Sequence, residues 1–129
     1  MKLNCVEISI SDEEFGCQIT FSEKKDLREE TIGMSVKDIE ESIGRYLLLQ
    51  RTYPEDEFES DYIYFETHNE EYAGELIEYE MALSRNNFML KLQNEKIEVE
   101  INPTDREYSK LKEILPILTN NSGKINVNE

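Results

Sequence analysis

The sequence predicts an α+β protein, in which a twisted antiparallel sheet is covered on one face by a C-terminal amphipathic helix. Two observations carry this prediction. Apolar and polar residues alternate in several short segments up to Ile101, and an apolar stripe at helical spacing follows them. Strands followed by a closing helix are typical of this class. Because 129 residues is a common single-domain size, we expect one domain over residues 1–123 and a loose tail over residues 124–129.

Two alternating segments near the N-terminus predict an antiparallel hairpin. Val6, Ile8 and Ile10 share one face of the first segment, and the polar run 11–14 supplies the turn. In the second segment the apolar positions are Phe15, Cys17, Ile19 and Phe21. A charged loop follows, and Ser35 then begins a short predicted helix that ends at Gly44.

Further strands are predicted in the middle of the chain. Residues 46–49 are apolar at every position, which favours a strand that is buried on both sides. Residues 62–67 are aromatic and β-branched and predict another strand, and residues 69–75 predict a polar loop. Three more segments, separated by turn residues, predict a three-stranded meander. Their apolar residues are Ile77, Tyr79, Met81 and Leu83, then Phe88, Leu90 and Leu92, then Ile97, Val99 and Ile101.

The C-terminal helix has a defined predicted start. Thr104 and Glu107 have the spacing of a capping box, in which each side chain bonds the backbone amide of the other. The apolar stripe that follows consists of Tyr108, Leu111, Ile114, Leu115 and Leu118. Pro116 removes one helical hydrogen bond, so we expect the helix either to kink in its last turn or to end near Leu115.

Charge is distributed unevenly. The formal net charge is −15, and a block between Arg51 and Arg85 supplies −11 of it without any lysine or arginine. The acidic residues of this block are Glu55, Asp56, Glu57, Glu59, Asp61, Glu66, Glu70, Glu71, Glu75, Glu78 and Glu80. Like charges at this density favour a cationic partner. They make nucleic acid and anionic lipid poor partners at neutral pH.

Catalytic and metal-binding patterns are weak. His68 is the only histidine, and Cys5 and Cys17 lie in predicted strands without metal-ligand spacing. The sequence has no Gly-rich phosphate loop and no calcium-loop pattern. We therefore predict a protein that is not an enzyme and that needs no cofactor or metal. A small metal-dependent enzyme or sensor remains as an alternative, which would need carboxylates to converge with His68.

The acidic block also contains aromatic residues, which can anchor a protein interface. We predict that a basic protein partner binds the region 53–75, with carboxylates that steer it and aromatic rings that bury against it. Arg51, beside this block, is predicted to form internal ion pairs or hydrogen bonds instead. The predicted contact residues are Tyr53, Glu55, Asp56, Glu57, Phe58, Glu59, Asp61, Glu70, Glu71 and Tyr72.

Several of these segments together resemble one known family. A strand ends in Leu49-Gln50-Arg51, an acidic stretch follows, and the strand 61–66 comes next. The chain then has a turn, a meander and a helix over 106–118. In these features it is similar to the tenth catalogued family of bacterial immunity proteins, the cytoplasmic antidotes of polymorphic toxin systems. The turn departs from the family pattern of Tyr-Gly-Gly, since it reads Tyr72-Ala73-Gly74 here. The likeness covers about the last two-thirds of the chain.

This resemblance implies a cytoplasmic protein that binds and neutralises a cognate secreted toxin. It implies no catalytic residue and does not identify the toxin. A generic acidic regulatory module that binds a basic host protein has the same sequence features, so it remains an alternative. Genes beside the coding sequence would separate the two, because an antidote should lie next to a large secreted effector.

Overall fold

The computed structural model describes residues 1–23, 44–54, 62–120 and 125–128. Within these ranges the chain forms ten strands and one helix. The strands are β1 (Lys2–Asn4), β2 (Glu7–Glu13), β3 (Gly16–Ser22), β4 (Tyr46–Thr52), β5 (Tyr62–Thr67), β6 (Ala73–Glu75), β7 (Glu80–Ser84), β8 (Asn87–Lys91), β9 (Lys96–Glu100) and β10 (Ile125–Asn128). The helix, α1, spans Asp105–Leu118. The helix predicted from Ser35 lies at residues outside the described ranges.

The strands form two five-stranded sheets. Sheet I has the order β2-β3-β4-β5-β6, with every neighbouring pair antiparallel. Sheet II has the order β1-β9-β8-β7-β10, with β1 and β10 parallel to their neighbours and the inner pairs antiparallel. The α+β class is confirmed, but the expectation of one sheet is wrong. Alternation shows that one face of each strand is buried, and it does not show that a second sheet covers that face.

The buried faces of both sheets and of α1 belong to one hydrophobic cluster. Phe21 of sheet I and Phe88 of sheet II stack, with ring centroids 4.9 Å apart and an interplanar angle of 21°. Burial of apolar surface between these elements is the main stabilising contribution to the fold. The helix contributes its predicted stripe, which consists of Tyr108, Leu111, Ile114, Leu115 and Leu118.

Two strand predictions need correction. Leu47 and Leu49 of β4 are fully buried, but Tyr46 and Leu48 on the other face are only half-buried, so β4 is not buried on both sides. The strand predicted to begin at Ile77 begins at Glu80 instead, and Ile77 is 68% exposed. Tyr46 and Leu48 lie on the outer face of sheet I, away from the hydrophobic cluster, and Ile77 lies before β7 begins. An apolar residue in the sequence pattern therefore need not be a buried one.

Both ends of α1 are capped. The capping box is present as predicted: the Thr104 hydroxyl accepts from the Glu107 amide at 3.2 Å, and the Glu107 carboxylate accepts from the Thr104 amide at 2.9 Å. At the other end the helix continues through Pro116 to Leu118, so of the two expected alternatives, a kink in the last turn or an end near Leu115, the second is wrong. Pro116 cannot donate to the carbonyl one turn earlier, but the helix retains its last turn, since the Thr119 amide donates to the Leu115 carbonyl at 3.0 Å and the Asn120 amide to the Ile117 carbonyl at 3.0 Å.

Arg51 also contributes hydrogen bonds at this end of the helix. It donates to the Ile117 carbonyl at 2.6 Å and to Asn120 Oδ1 at 3.2 Å. The Thr119 hydroxyl donates to the Leu115 carbonyl at 2.9 Å. The prediction that Arg51 is an internal hydrogen-bond donor is confirmed, and its cation also lies favourably at the helix C-terminus.

Residues 125–128, within the predicted loose tail, form a strand. This strand is β10, which pairs in parallel with β7 from Ile125 opposite Met81 to Asn128 opposite Ser84. Ile125 also packs against the hydrophobic cluster. An edge strand offers unpaired backbone groups to any adjacent segment. Without β10, β7 would be the edge strand of sheet II. The sequence of residues 124–129 does not show this, so the strand was not predicted.

Candidate partner-binding surface

The outer face of sheet I is the strongest candidate site. Paired residues on neighbouring strands project to the same side of a sheet. The strand residues that alternate with the buried Ile19, Leu49 and Phe65 therefore share the outer face. They are Glu7, Ser9, Ser11 and Glu13 of β2, Gly16, Gln18, Thr20 and Ser22 of β3, Tyr46, Leu48, Gln50 and Thr52 of β4, Tyr62, Tyr64 and Glu66 of β5, and Ala73 and Glu75 of β6. We call this set the acidic tyrosine face.

The acidic tyrosine face has one sign of charge. Four of its strand residues are glutamates and three are tyrosines, and none is a lysine or arginine. Arg45, just before β4, forms an ion pair with Glu23, with Nε and Oε1 3.7 Å apart. In contrast, the outer face of sheet II mixes both signs, as at Lys96, which pairs with Glu98 at 2.8 Å. A single-sign surface attracts an opposite-sign partner.

Glu66 lies between two tyrosines on this face. The Tyr46 hydroxyl donates to Glu66 Oε2 at 2.7 Å, and the Tyr64 hydroxyl donates to Glu66 Oε1 at 3.2 Å. Tyr46, Tyr64 and Glu66 are all half-buried. Hydrogen bonds to a carboxylate are stronger than those between neutral groups. These two hold the Glu66 side chain in one orientation.

The same contacts change the acidity of the tyrosines. Burial, together with the Glu66 carboxylate, raises the pKa of Tyr46 to about 12. The same two causes raise the pKa of Tyr64. Both hydroxyls therefore keep their protons, and act as donors to Glu66, throughout the physiological pH range.

Aromatic contacts extend from this trio in two directions. The Tyr62 and Tyr64 rings stack, with centroids 6.3 Å apart and an interplanar angle of 16°, and Tyr62 is 44% exposed. His68 packs edge-on against Tyr46 at 6.4 Å, and its Nδ1 accepts from the Tyr46 amide at 3.4 Å. A row of rings therefore lies along β4 and β5 beside the Glu66 carboxylate.

Of the ten predicted contact residues, the structure describes four. The others, at positions 55, 56, 57, 58, 59 and 61, lie outside the described ranges. Tyr53 is half-buried, and its hydroxyl donates to Asp12 Oδ1 at 2.7 Å while the Arg51 guanidinium lies 5.0 Å from its ring centroid. Burial and the Asp12 carboxylate raise its pKa. These contacts make Tyr53 part of the packing between β2 and β4.

Glu70, Glu71 and Tyr72 lie in the turn between β5 and β6. Both glutamates are exposed, and Tyr72 is half-buried against the hydrophobic cluster. The Glu95 charge and a hydrogen bond to Glu95 raise the pKa of Tyr72. Asn69 shapes the turn, since its side chain accepts from the Glu71 amide at 3.1 Å and its carbonyl accepts from the Tyr72 amide at 2.9 Å. The two glutamates are therefore displayed at one end of sheet I.

The described part of the acidic block does not form one surface. Glu66 and Glu75 lie on the acidic tyrosine face, whereas Glu80 lies on the outer face of sheet II opposite Lys91. Glu78 accepts a hydrogen bond from Gln93 at 3.0 Å. Because the acidic block runs from β5 and β6 of sheet I into β7 of sheet II, its side chains are distributed over the surfaces of both sheets. Glu7 and Glu13 of β2, which are distant in sequence, instead join Glu66 and Glu75 on one face.

The central residues of this face, Tyr46, Tyr64 and Glu66, were absent from the predicted contact set. The alternation of Tyr62, Tyr64 and Glu66 along β5 was a usable signal, because it places all three on one side of a strand. The sequence alone does not show that Tyr46 of β4 joins them. That contact depends on the register between β4 and β5.

The cysteines are poor nucleophiles in this fold. Burial raises the pKa of Cys5 to about 11, and burial also raises the pKa of Cys17. A thiol with a raised pKa forms little of the reactive thiolate at neutral pH. Cys17 lies on the buried face of β3, whereas His68 contacts Tyr46 of the outer face. In the described ranges, no group of three His, Cys, Asp or Glu side chains is placed to hold a metal ion.

Comparisons with known proteins do not place this chain in a family. No family model, no curated protein and no solved structure matches it. No helix in the described part of the chain has the length and apolar content that crossing a membrane requires.

Proposed function

We propose that this protein is a non-enzymatic binding protein that covers a basic surface of another protein with the acidic tyrosine face. The observation that carries the proposal is the composition of that face. Its strand residues include four glutamates and three tyrosines but no lysine or arginine. Carboxylates of one sign raise the rate of encounter with a cationic surface and orient it. Tyrosines supply contact area with little loss of conformational entropy.

We further propose that the partner is a secreted toxin and that this protein is its cytoplasmic antidote. This step rests on the resemblance to the immunity protein family in the segment that begins at Leu49-Gln50-Arg51. Toxins that act on nucleic acid need cationic substrate grooves, and an acidic face can cover such a groove or dock beside it.

The proposed contact set also includes the ten contact residues that were predicted from the sequence. Glu70 and Glu71 are exposed at one end of sheet I, where they add negative charge. The hydroxyls of Tyr53 and Tyr72 are already held by Asp12 and Glu95. These two tyrosines would therefore contact the partner through the parts of their rings that remain exposed. Glu55, Asp56, Glu57, Phe58, Glu59 and Asp61 remain part of the proposed contact set.

The experiment uses the secreted effector that the antidote proposal expects to be encoded beside this gene. The association rate of the two proteins is measured for the wild type and for a variant with Glu13→Lys and Glu75→Lys. We expect the variant to associate at least ten times more slowly at low salt, with the difference shrinking in ~0.5 M salt as screening increases. The control variant, Glu100→Lys with Glu113→Lys, makes the same charge change on sheet II and α1 and should associate almost as the wild type does.

A second variant tests the segment 55–59. Reversal of Glu55, Asp56, Glu57 and Glu59 to lysine should also slow association by at least an order of magnitude at low salt. Equal rates for all variants would refute steering by these carboxylates. If the effector does not bind and stays toxic when this protein is co-expressed, the antidote proposal is wrong. Binding to an unrelated basic host protein would then favour a regulatory module.

A further inference from the structure

We propose that Glu66, held by Tyr46 and Tyr64, is a receptor for an arginine side chain of the basic partner. The inference rests on the proposed function, because it names the side chain that the acidic tyrosine face recognises. It is nevertheless separable by experiment, since a face can attract basic proteins through charge alone, without distinguishing arginine from lysine.

The geometry of the carboxylate is the first reason. Each Glu66 oxygen accepts one tyrosine hydroxyl, at 2.7 Å and 3.2 Å. A carboxylate oxygen has two lone-pair sites, so one remains on each oxygen for a further donor. A guanidinium presents two parallel N–H groups at the spacing of the two oxygens of a carboxylate. The two hydroxyls already hold the carboxylate in one orientation. Binding of an arginine therefore costs less conformational entropy than it would at a freely rotating carboxylate.

The neighbouring rings are the second reason. Tyr62 and Tyr64 stack beside Glu66, with Tyr62 partly open to solvent. A planar guanidinium stacks on an aromatic face while its N–H groups point outward to a carboxylate. A lysine ammonium is a compact, strongly hydrated charge and gains less from both features.

The charge balance is the third reason. Some acids in the described ranges pair with the chain's own cations, as Glu98 does with Lys96 and Glu23 with Arg45. Glu66 forms no such ion pair there, and its hydrogen-bond donors are two neutral hydroxyls. A half-buried carboxylate with only neutral donors gains more from a cation than an exposed one does, because water screens it less.

The test compares two fluorescent peptides, hexa-arginine and hexa-lysine, whose binding is measured by anisotropy at low salt. For the wild-type protein we expect about tenfold tighter binding of hexa-arginine, the factor that one good bidentate contact supplies. Glu66→Gln should abolish this preference by weakening hexa-arginine binding. The control is Glu13→Gln, which makes the same charge change on the same face, and it should weaken both peptides equally and keep the preference.

Tyr46→Phe is a second variant, because it removes one hydroxyl while retaining the charge of Glu66. It should reduce the preference for hexa-arginine and leave hexa-lysine affinity unchanged. Thermal denaturation of each variant checks that it is folded. Loss of preference in folded Glu66→Gln and Tyr46→Phe, but not in Glu13→Gln, supports the receptor.

The other outcomes overturn it in distinguishable ways. Equal binding of both peptides by the wild type, with Glu66→Gln and Glu13→Gln equally weakened, refutes the arginine receptor and leaves the acidic face as a general cation-binding surface. Failure of the wild type to bind either peptide refutes the receptor and also removes the charge argument from the proposed function.

Discussion

The stacked pair Phe21–Phe88 provides a direct test of whether the two sheets fold as one unit. Phe21 belongs to sheet I and Phe88 to sheet II, and each is almost completely buried. Their ring centroids lie 4.9 Å apart at an interplanar angle of 21°. Replacing either ring with leucine keeps most of the apolar volume and removes the aromatic contact between the sheets.

The expected magnitudes follow from this geometry. A substitution that nearly conserves volume in a packed core costs about 1 kcal/mol in free energy of unfolding. The interaction of an aromatic pair adds about 0.5–1.5 kcal/mol beyond the area that it buries. Since either single substitution already destroys the pair, the double variant should be less destabilised than the sum of the singles, by about 1 kcal/mol.

The assay is urea unfolding of the wild type, Phe21→Leu, Phe88→Leu and the double variant at 25 °C. A matched control cycle combines Phe88→Leu with Phe65→Leu, because Phe65 lies on β5, two strands from β3, and forms no ring pair with Phe88 in the described structure. The control should be additive within about 0.5 kcal/mol. A coupling no larger than the control, or separate unfolding transitions for the two sheets, would refute the shared core.

Three further predictions concern the helix and the acidic tyrosine face. Thr104→Ala should lower the free energy of unfolding by about 1 kcal/mol through loss of the N-cap, with Thr104→Ser close to wild type in thermal denaturation. Arg51→Met should cost about 2 kcal/mol in urea unfolding, because it removes charged donors from Ile117 and Asn120 at the helix end, and a neutral result would mean that water replaces them. The pKa of Tyr46 is raised to about 12, so its stabilising contribution is complete below pH 10 and falls as pH rises from 10 through 12. Unfolding midpoints at pH 9 and pH 11 should therefore drop further for the wild type than for Tyr46→Phe, and equal drops would contradict the raised pKa.

Local sequence patterns were sufficient for the elements that depend on neighbouring residues. The capping box of Thr104 and Glu107 and the apolar stripe on α1 appear as predicted, because i to i+3 and i to i+4 spacing determines both. Aromatic and β-branched composition likewise indicated the strand at residues 62–67, since such side chains suit the surface of a strand.

Features that depend on contacts between distant parts of the chain could not be predicted from local sequence patterns. One apolar sheet face does not reveal whether a helix or a second sheet covers it, and the two-sheet architecture here brings Phe21 against Phe88. The sequence by itself determined an acidic, tyrosine-bearing chain of strands with a capped helix. Only the tertiary structure decided which acids share a surface. Strand register across sheet I brings Tyr46 to Glu66, because side chains project alternately to opposite faces and a shift of one residue would bury one set and expose the other.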